Sequence, residues 1–176
     1  VDLPADEGES AAVEFWILNP RKFEHHCDMP AERLSIPRYA MALAHVASLR
    51  SEDPYRKVGA AALDHDNRVI GTAYNGLAPG FNPPGGFWDD REARQKFMLH
   101  AEVNLCSLFR RGEAKLVATT TMPCTACMQT LCAYGIREIY YRDVYHASDA
   151  PEIAKLYGVK LERIADFPEL DPLGRV

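Results

Sequence analysis

The chain has 176 residues, 47% of them apolar, and a formal charge of −5. That length suits one domain with a sizeable core. No apolar run approaches the roughly 20 residues of a membrane span, and the acidic balance argues against the broad basic surface that nucleic acid requires. Five cysteines, an odd number with two of them in a C-x-x-C, fit a reducing compartment, the cytoplasm by default, rather than a disulfide scaffold. The acidic start (Asp2, Asp6, Glu7, Glu9) lacks the basic segment of a secretory signal.

Residues 1–30 read as an N-terminal tail or extension, loose and polar over its first 12 positions. His25-His26-Cys27 has metal-ligand chemistry, but adjacent side chains rarely point at one ion, so an exposed loop is the reading here. A helix is predicted from Pro37 to Leu49, with Tyr39, Leu43, Val46 and Ala47 on one face. Asp53-Pro54 ends it. Val58 to Leu63 and Val69 to Tyr74 read as an antiparallel hairpin about a polar turn, with Asn75-Gly76 closing the second strand. Leu77 to Asp90 is Pro- and Gly-rich loop. Its Phe81, Phe87 and Trp88 either line a pocket or pin the loop to the core, the second being the default.

From His100 the pattern is helical again, with Val103, Cys106 and Leu108 suited to burial, Arg110 and Arg111 near the end and Gly112 as the stop. A strand over Leu116 to Thr121, a helix over Cys124 to Tyr134, a strand over Glu138 to Tyr141, a helix over Pro151 to Tyr157 and a last strand over Val159 to Ile164 follow. This alternation implies a sheet with helices packed on it. The fold expected is α/β, a three-layer α/β/α sandwich with a five-stranded mixed sheet.

Two motifs carry chemistry: His100-Ala101-Glu102 and Pro123-Cys124-Thr125-Ala126-Cys127. Cys124 and Cys127, three apart, share a helix face, and Pro123 suits the start of that helix. Thiolates at a helix N-terminus are favoured by unpaired N–H groups and the dipole. With His100 they make three zinc ligands and leave a fourth tetrahedral position for water, as in catalytic sites. Two thiolates neutralise a dication and weaken its Lewis acidity, so a neighbouring base becomes useful; Glu102 is that base, taking and returning protons. The bland alternative is a zinc staple of the fold, for which His146 and Cys132 are nominal fourth ligands. Cys132, like Cys106, reads better as a small core residue.

The order H-x-E…P-C-x-x-C resembles the signature of zinc-dependent nucleobase deaminases. The chain from Ser51 to Ile164 resembles the deoxycytidylate (dCMP) deaminase family of the cytidine deaminase-like superfamily. The resemblance rests on Asp53-Pro54 leading into Val58-Gly59-Ala60, on Gly71 to Gly76 with Pro79-Gly80 following, and on His100 to Asn104. Pro123 to Glu138 and Asp143 to His146 complete it.

The resemblance implies a deaminase domain over 31–176 with one catalytic zinc, a small nucleotide as substrate, a homo-oligomer and no membrane partner. It implies that Asn75 bonds the sugar or base, that Ala101 offers its backbone to the base carbonyl and that Tyr145 stands at the pocket wall. Ordinary turn and packing roles for Asn75 and Tyr145 stay open. Arg56 and Lys57 are candidates for a phosphate or surface role. Many relatives bind a second, structural zinc through Cys or His between the Asn-Gly and the H-A-E motif; Leu77 to Leu99 contains neither residue, so the resemblance does not extend to that ion.

The activity implied is hydrolysis of dCMP to dUMP with release of ammonia. A deaminase of another amino-heterocycle (a nucleoside, free base or modified purine) shares the same core and stays open. A nucleic-acid editing enzyme fits the charge less well. A zinc-stabilised binding module without turnover is the remaining alternative.

Overall fold

Five consecutive residues, Gly59 to Leu63, are all buried in the computed structural model, which describes residues 33–165. Contacts divide the chain into Val1–Leu34 and Ser35–Val176. Every element named below belongs to the second unit. His25-His26-Cys27 and the rest of the N-terminal extension lie outside the described residues.

A strand buried along its whole length must be covered on both faces. The five-stranded sheet supplies that setting, in the order β2 (Val69–Tyr74), β1 (Gly59–Asp64), β5 (Ala114–Thr121), β6 (Glu138–Asp143), β7 (Lys160–Arg163). β1 is antiparallel to β2 and β5, while β5, β6 and β7 are parallel, so the sheet is mixed. Side chains alternate between two cores. Ala60, Ala62, Val117 and Ile139 face one, packed with residues of α3 (Ala101–Cys106), α4 (Thr125–Ala133) and α5 (Ala150–Tyr157). Ala61, Leu63, Leu116, Ala118 and Tyr140 face the other, packed with α1 (Ile36–Ser48). The expected three-layer sandwich is present.

The buried face of α1 differs from the one predicted. Ala40, Met41, Ala44, Ala47 and Ser48 are buried, whereas Tyr39 and Val46 are 40% and 55% exposed. The reason is close approach. A Cβ built on Gly59 would stand 1.9 Å from the carbonyl oxygen of Ala44 and 2.5 Å from the amide nitrogen of Ser48. The helix backbone rests directly on β1, so small side chains face the sheet and larger ones turn outward.

α3 also ends earlier than predicted, at Cys106, and Val103 and Leu108 are 42% and 53% exposed. Leu105, Cys106 and Phe109 take the core positions instead. Arg110 and Arg111 follow the helix rather than closing it. Gly112, with φ +85°, marks the turn, and its N–H donates to the carbonyl of Tyr134 at 2.9 Å.

Between β2 and α3 the chain adds three elements that were not predicted: β3 (Gly76–Leu77), α2 (Arg91–Phe97) and β4 (Met98–Leu99). Asn75 follows the end of β2, as expected, and Gly76 opens β3. β3 pairs antiparallel with β4, Gly76 opposite Leu99 and Leu77 opposite Met98. One step further in that register, Asn75 comes opposite His100. The loop between β3 and α2 is held by its own aromatic rings. Phe81 stacks on Phe97 at 5.1 Å and meets Phe87 at 5.8 Å, and Phe87 meets Trp88 edge-on at 5.2 Å.

Gly59→Ala forces backbone apart from backbone, so it should lower stability by about 3 kcal/mol or more. Urea unfolding of the metal-loaded protein measures this; a midpoint close to that of the parent chain contradicts the close packing of α1 on β1.

Candidate active site

Both motifs meet at helix starts. His100 is the N-cap of α3 and Cys124 the N-cap of α4, each with extended backbone (φ −72°, ψ 149° and φ −69°, ψ 167°). A cap residue is not yet wound into its helix, so its side chain reaches past the helix end. Cys124 uses this to accept a hydrogen bond at Sγ from the Cys127 amide at 3.5 Å. The two sulfurs thus meet through a cap, not by standing side by side on a helix as the spacing suggested. Pro123 precedes the cap rather than opening the helix. It is fully buried, and its carbonyl accepts from the Ser148 hydroxyl at 2.6 Å. Asn104, one turn into α3, donates from Nδ2 to the Tyr74 carbonyl at 2.9 Å and ties α3 to the end of β2.

His100, Cys124 and Cys127 offer ligand atoms that all lie within 4.8 Å of one another, and among the described residues this group has three members. His100 Nδ1 stands 3.3 Å from Cys127 Sγ and 3.5 Å from Cys124 Sγ. Ligands on a tetrahedral zinc are separated by about 3.5 Å for nitrogen and sulfur, so the donor set fits that ion in both chemistry and spacing. Neither nominal fourth ligand joins it. Cys132 packs against the hydrophobic core to which Cys106 belongs, and His146 is exposed.

Without metal the three groups share protons unevenly. The Cys127 thiol, His100 and the Cys127 amide bond to Cys124 Sγ and hold it well below the usual thiol range, at about 4. Cys127 is pushed far up, chiefly by its hydrogen bond to Cys124 and by burial. His100 is raised by its hydrogen bond to Cys124 against the opposing effect of burial. Glu102, on the first turn of α3 and only 4% exposed, is raised by burial, and neither its own amide nor His100 offsets this. A carboxyl raised in this way gives up its proton less readily than an exposed one, which suits a group that must both take and return a proton.

A cavity of about 320 Å³ opens over this group and is lined by His100, Ala101, Glu102 and Cys124 together with Asn75 and Tyr145. Its volume is in the range of small-molecule sites. The 53–58 segment forms one wall. Asp53 Oδ1 accepts from the amides of Tyr55 (2.8 Å) and Arg56 (3.1 Å), an Asx turn. Asn75 braces the same segment, accepting from the Val58 amide at 2.8 Å and donating to the Arg56 carbonyl at 2.9 Å. Arg56 also lines the cavity, its guanidinium 5.3 Å from the ring centre of Tyr145. Lys57 does not; its Nζ donates to the Ser51 carbonyl at 2.8 Å. Phe81, Phe87 and Trp88 are not among the lining residues; they pack on one another and on Phe97.

Arg91, Arg94 and Gln95, which no sequence motif singled out, are brought to the cavity by α2. A signal was available. Asp90 accepts at Oδ1 from the amides of Glu92 (2.9 Å) and Ala93 (3.0 Å), and the residues that follow this cap are good helix formers.

A metal entering this group must displace the proton on Cys127 and, where it is still bound, the one on His100. Apparent zinc affinity should therefore fall as pH falls. Calorimetric titration of the chelator-stripped protein in buffers of different ionisation heat should record proton release at near-neutral pH, and more at mildly acidic pH. Binding that is independent of pH, with no protons released, contradicts the assigned ligands.

The family described as the cytidine and deoxycytidylate deaminase zinc-binding region matches residues 34–143. Human deoxycytidylate deaminase is 31% identical over 147 residues, covering 76% of this chain and 79% of that protein. The ComE operon protein 2 of Bacillus subtilis is 33% identical over 151 residues, covering 81% and 76%. Among solved structures, the dCMP deaminase of cyanophage S-TIM5, crystallised with dCMP and dUMP, superposes with a TM-score of 0.62 at 22% identity, over 75% of this chain and all of that one. That likeness extends to the fold. A fold, a ligand triad and a family match that agree in this way make the chain a member of the zinc-binding cytidine and deoxycytidylate deaminase family.

Proposed function

We propose that the protein deaminates a free pyrimidine nucleotide, converting dCMP and water to dUMP and ammonia. The observation that carries this reading is the buried Glu102 beside the His100, Cys124 and Cys127 group, at a cavity sized for a small molecule. The names of the human and cyanophage relatives support the choice of substrate. Zinc, when bound by the three ligands, supplies the Lewis acidity that makes water a nucleophile near neutral pH.

Glu102 takes a proton from the attacking water and delivers it to N3 of the cytosine ring as the new C4–O bond forms. It then moves the remaining hydroxyl proton to the amino group, and the C4–N bond breaks with loss of ammonia. Burial supports both directions of transfer, because it raises the carboxyl toward the working pH. Ala101 opens α3, where its amide has no acceptor within the helix, and we assign that amide to the base carbonyl. Asn75 has one N–H beyond the bond to Arg56, and the sugar is its acceptor in this reading. Tyr145 forms the wall beside the ring.

The catalytic domain is assigned to 31–176. Cys106, Cys124, Cys127 and Cys132 are free thiols, which supports a reducing compartment such as the cytoplasm. No helix among the described residues is long and apolar enough to cross a membrane. A homo-oligomer is the assembly proposed.

Ammonia release from dCMP, cytidine, dCTP and cytosine, measured in parallel on protein of known zinc content, tests the substrate. dCMP should be turned over fastest; preference for an unphosphorylated substrate overturns the assignment. Glu102→Gln should keep its zinc and lose roughly 10²–10⁴-fold in turnover. Near-normal turnover in that variant ends the proposed proton path.

A further inference from the structure

Three guanidinium groups line the cavity: Arg56 on the 53–58 wall, and Arg91 and Arg94 on α2. Arg56 and Arg91 are exposed while Glu102 is buried, so positive charge gathers at the solvent end and the acid–base group at the closed end. None of the three forms an ion pair with another described residue. Asp53, on the same wall as Arg56, lines the cavity but is engaged at Oδ1 by two backbone amides, and Asp90, beside Arg91, is engaged at Oδ1 by the amides it caps.

Arg94 is held in place. Its guanidinium lies 4.1 Å from the ring centre of Tyr55, and one of its N–H groups donates to the Trp88 carbonyl. The Tyr55 hydroxyl in turn donates to Asp89 Oδ1 at 3.4 Å. No acceptor among the described residues takes the other terminal nitrogen of Arg94. A fixed, planar guanidinium with an open edge is suited to an oxyanion, which it can bind with two parallel hydrogen bonds. A chain of net charge −5 repels a free dianion unless it offers such a local reversal of sign.

We propose that Arg91 and Arg94, assisted by Arg56, bind the 5′-phosphate of the substrate, so that α2 selects a nucleotide over its nucleoside. This rests on the reading of the cavity as a deaminase site for dCMP. Arg94 is the oriented contact, and Arg91 supplies charge at the mouth.

The test compares kcat/KM for dCMP with kcat/KM for deoxycytidine in the zinc-loaded protein. Arg91→Ala and Arg94→Ala should each lower that ratio by about tenfold, and the double variant should lower it further, with the loss falling mainly on KM. Arg94→Lys should recover only part of it, since an ammonium cannot bind in bidentate fashion. Arg111→Ala removes the same charge from an exposed position outside the cavity and should leave the ratio unchanged. If Arg94→Ala loses zinc, the exposed Arg91→Ala and Arg91→Glu variants decide the question.

A ratio that stays constant in the cavity variants, or one that falls equally in Arg111→Ala, overturns the phosphate site. Absence of ammonia release from dCMP by the parent protein instead defeats the deaminase reading, so the two failures are distinct.

Discussion

Three donor groups that cannot all be comfortable without a dication converge at one point, and the rest of the site is arranged around that. Two thiols and an imidazole stand within 4.8 Å of one another, on the caps and first turn of two helices. Left alone, they divide their protons so that Cys124 carries charge and Cys127 holds its proton. A zinc ion resolves the conflict by taking both sulfurs as thiolates. Because the donors come from α3 and α4, which pack against the same face of the sheet, metal binding also joins separate parts of the fold.

The carboxylate proposed as the acid–base group depends on the same arrangement. Glu102 sits two residues after the His100 cap, buried where it lines the cavity, and its raised proton affinity comes from that burial. On the far side, α1 rests on Gly59 so closely that no Cβ fits between them. That contact sets β1 in the sheet. The segment just before β1, braced by Asn75 and the Asx turn of Asp53, becomes a rigid cavity wall.

Much of this was legible in the sequence, for identifiable reasons. β5 and β6 carry short runs of strand-forming residues, Leu116 to Thr121 and Ile139 to Tyr141, between turn signals, and His100, Cys124 and Cys127 are residue types that a metal itself demands. Strand β1 and its hairpin partner were readable because their residues are small or apolar. The buried face of α1 was not, since close approach to glycine inverts the usual rule and places alanines inward, leaving Tyr39 and Val46 outside. α2 buries no residue and so has no apolar stripe; only its Asp90 cap betrays it. Asn75 was read as a turn or a substrate contact. Its bracing role escaped notice because both partners are backbone groups, which carry no residue-type signal.

The geometry of His100, Cys124 and Cys127 implies an ion held by three protein ligands, with a fourth position left to solvent. Zinc-edge X-ray absorption of the purified protein tests it directly. The structure requires two sulfur scatterers at about 2.3 Å and two lighter atoms at about 2.0 Å, one from His100 and one from water. A shell with a third sulfur, or a second histidine in place of the water, would contradict the open site.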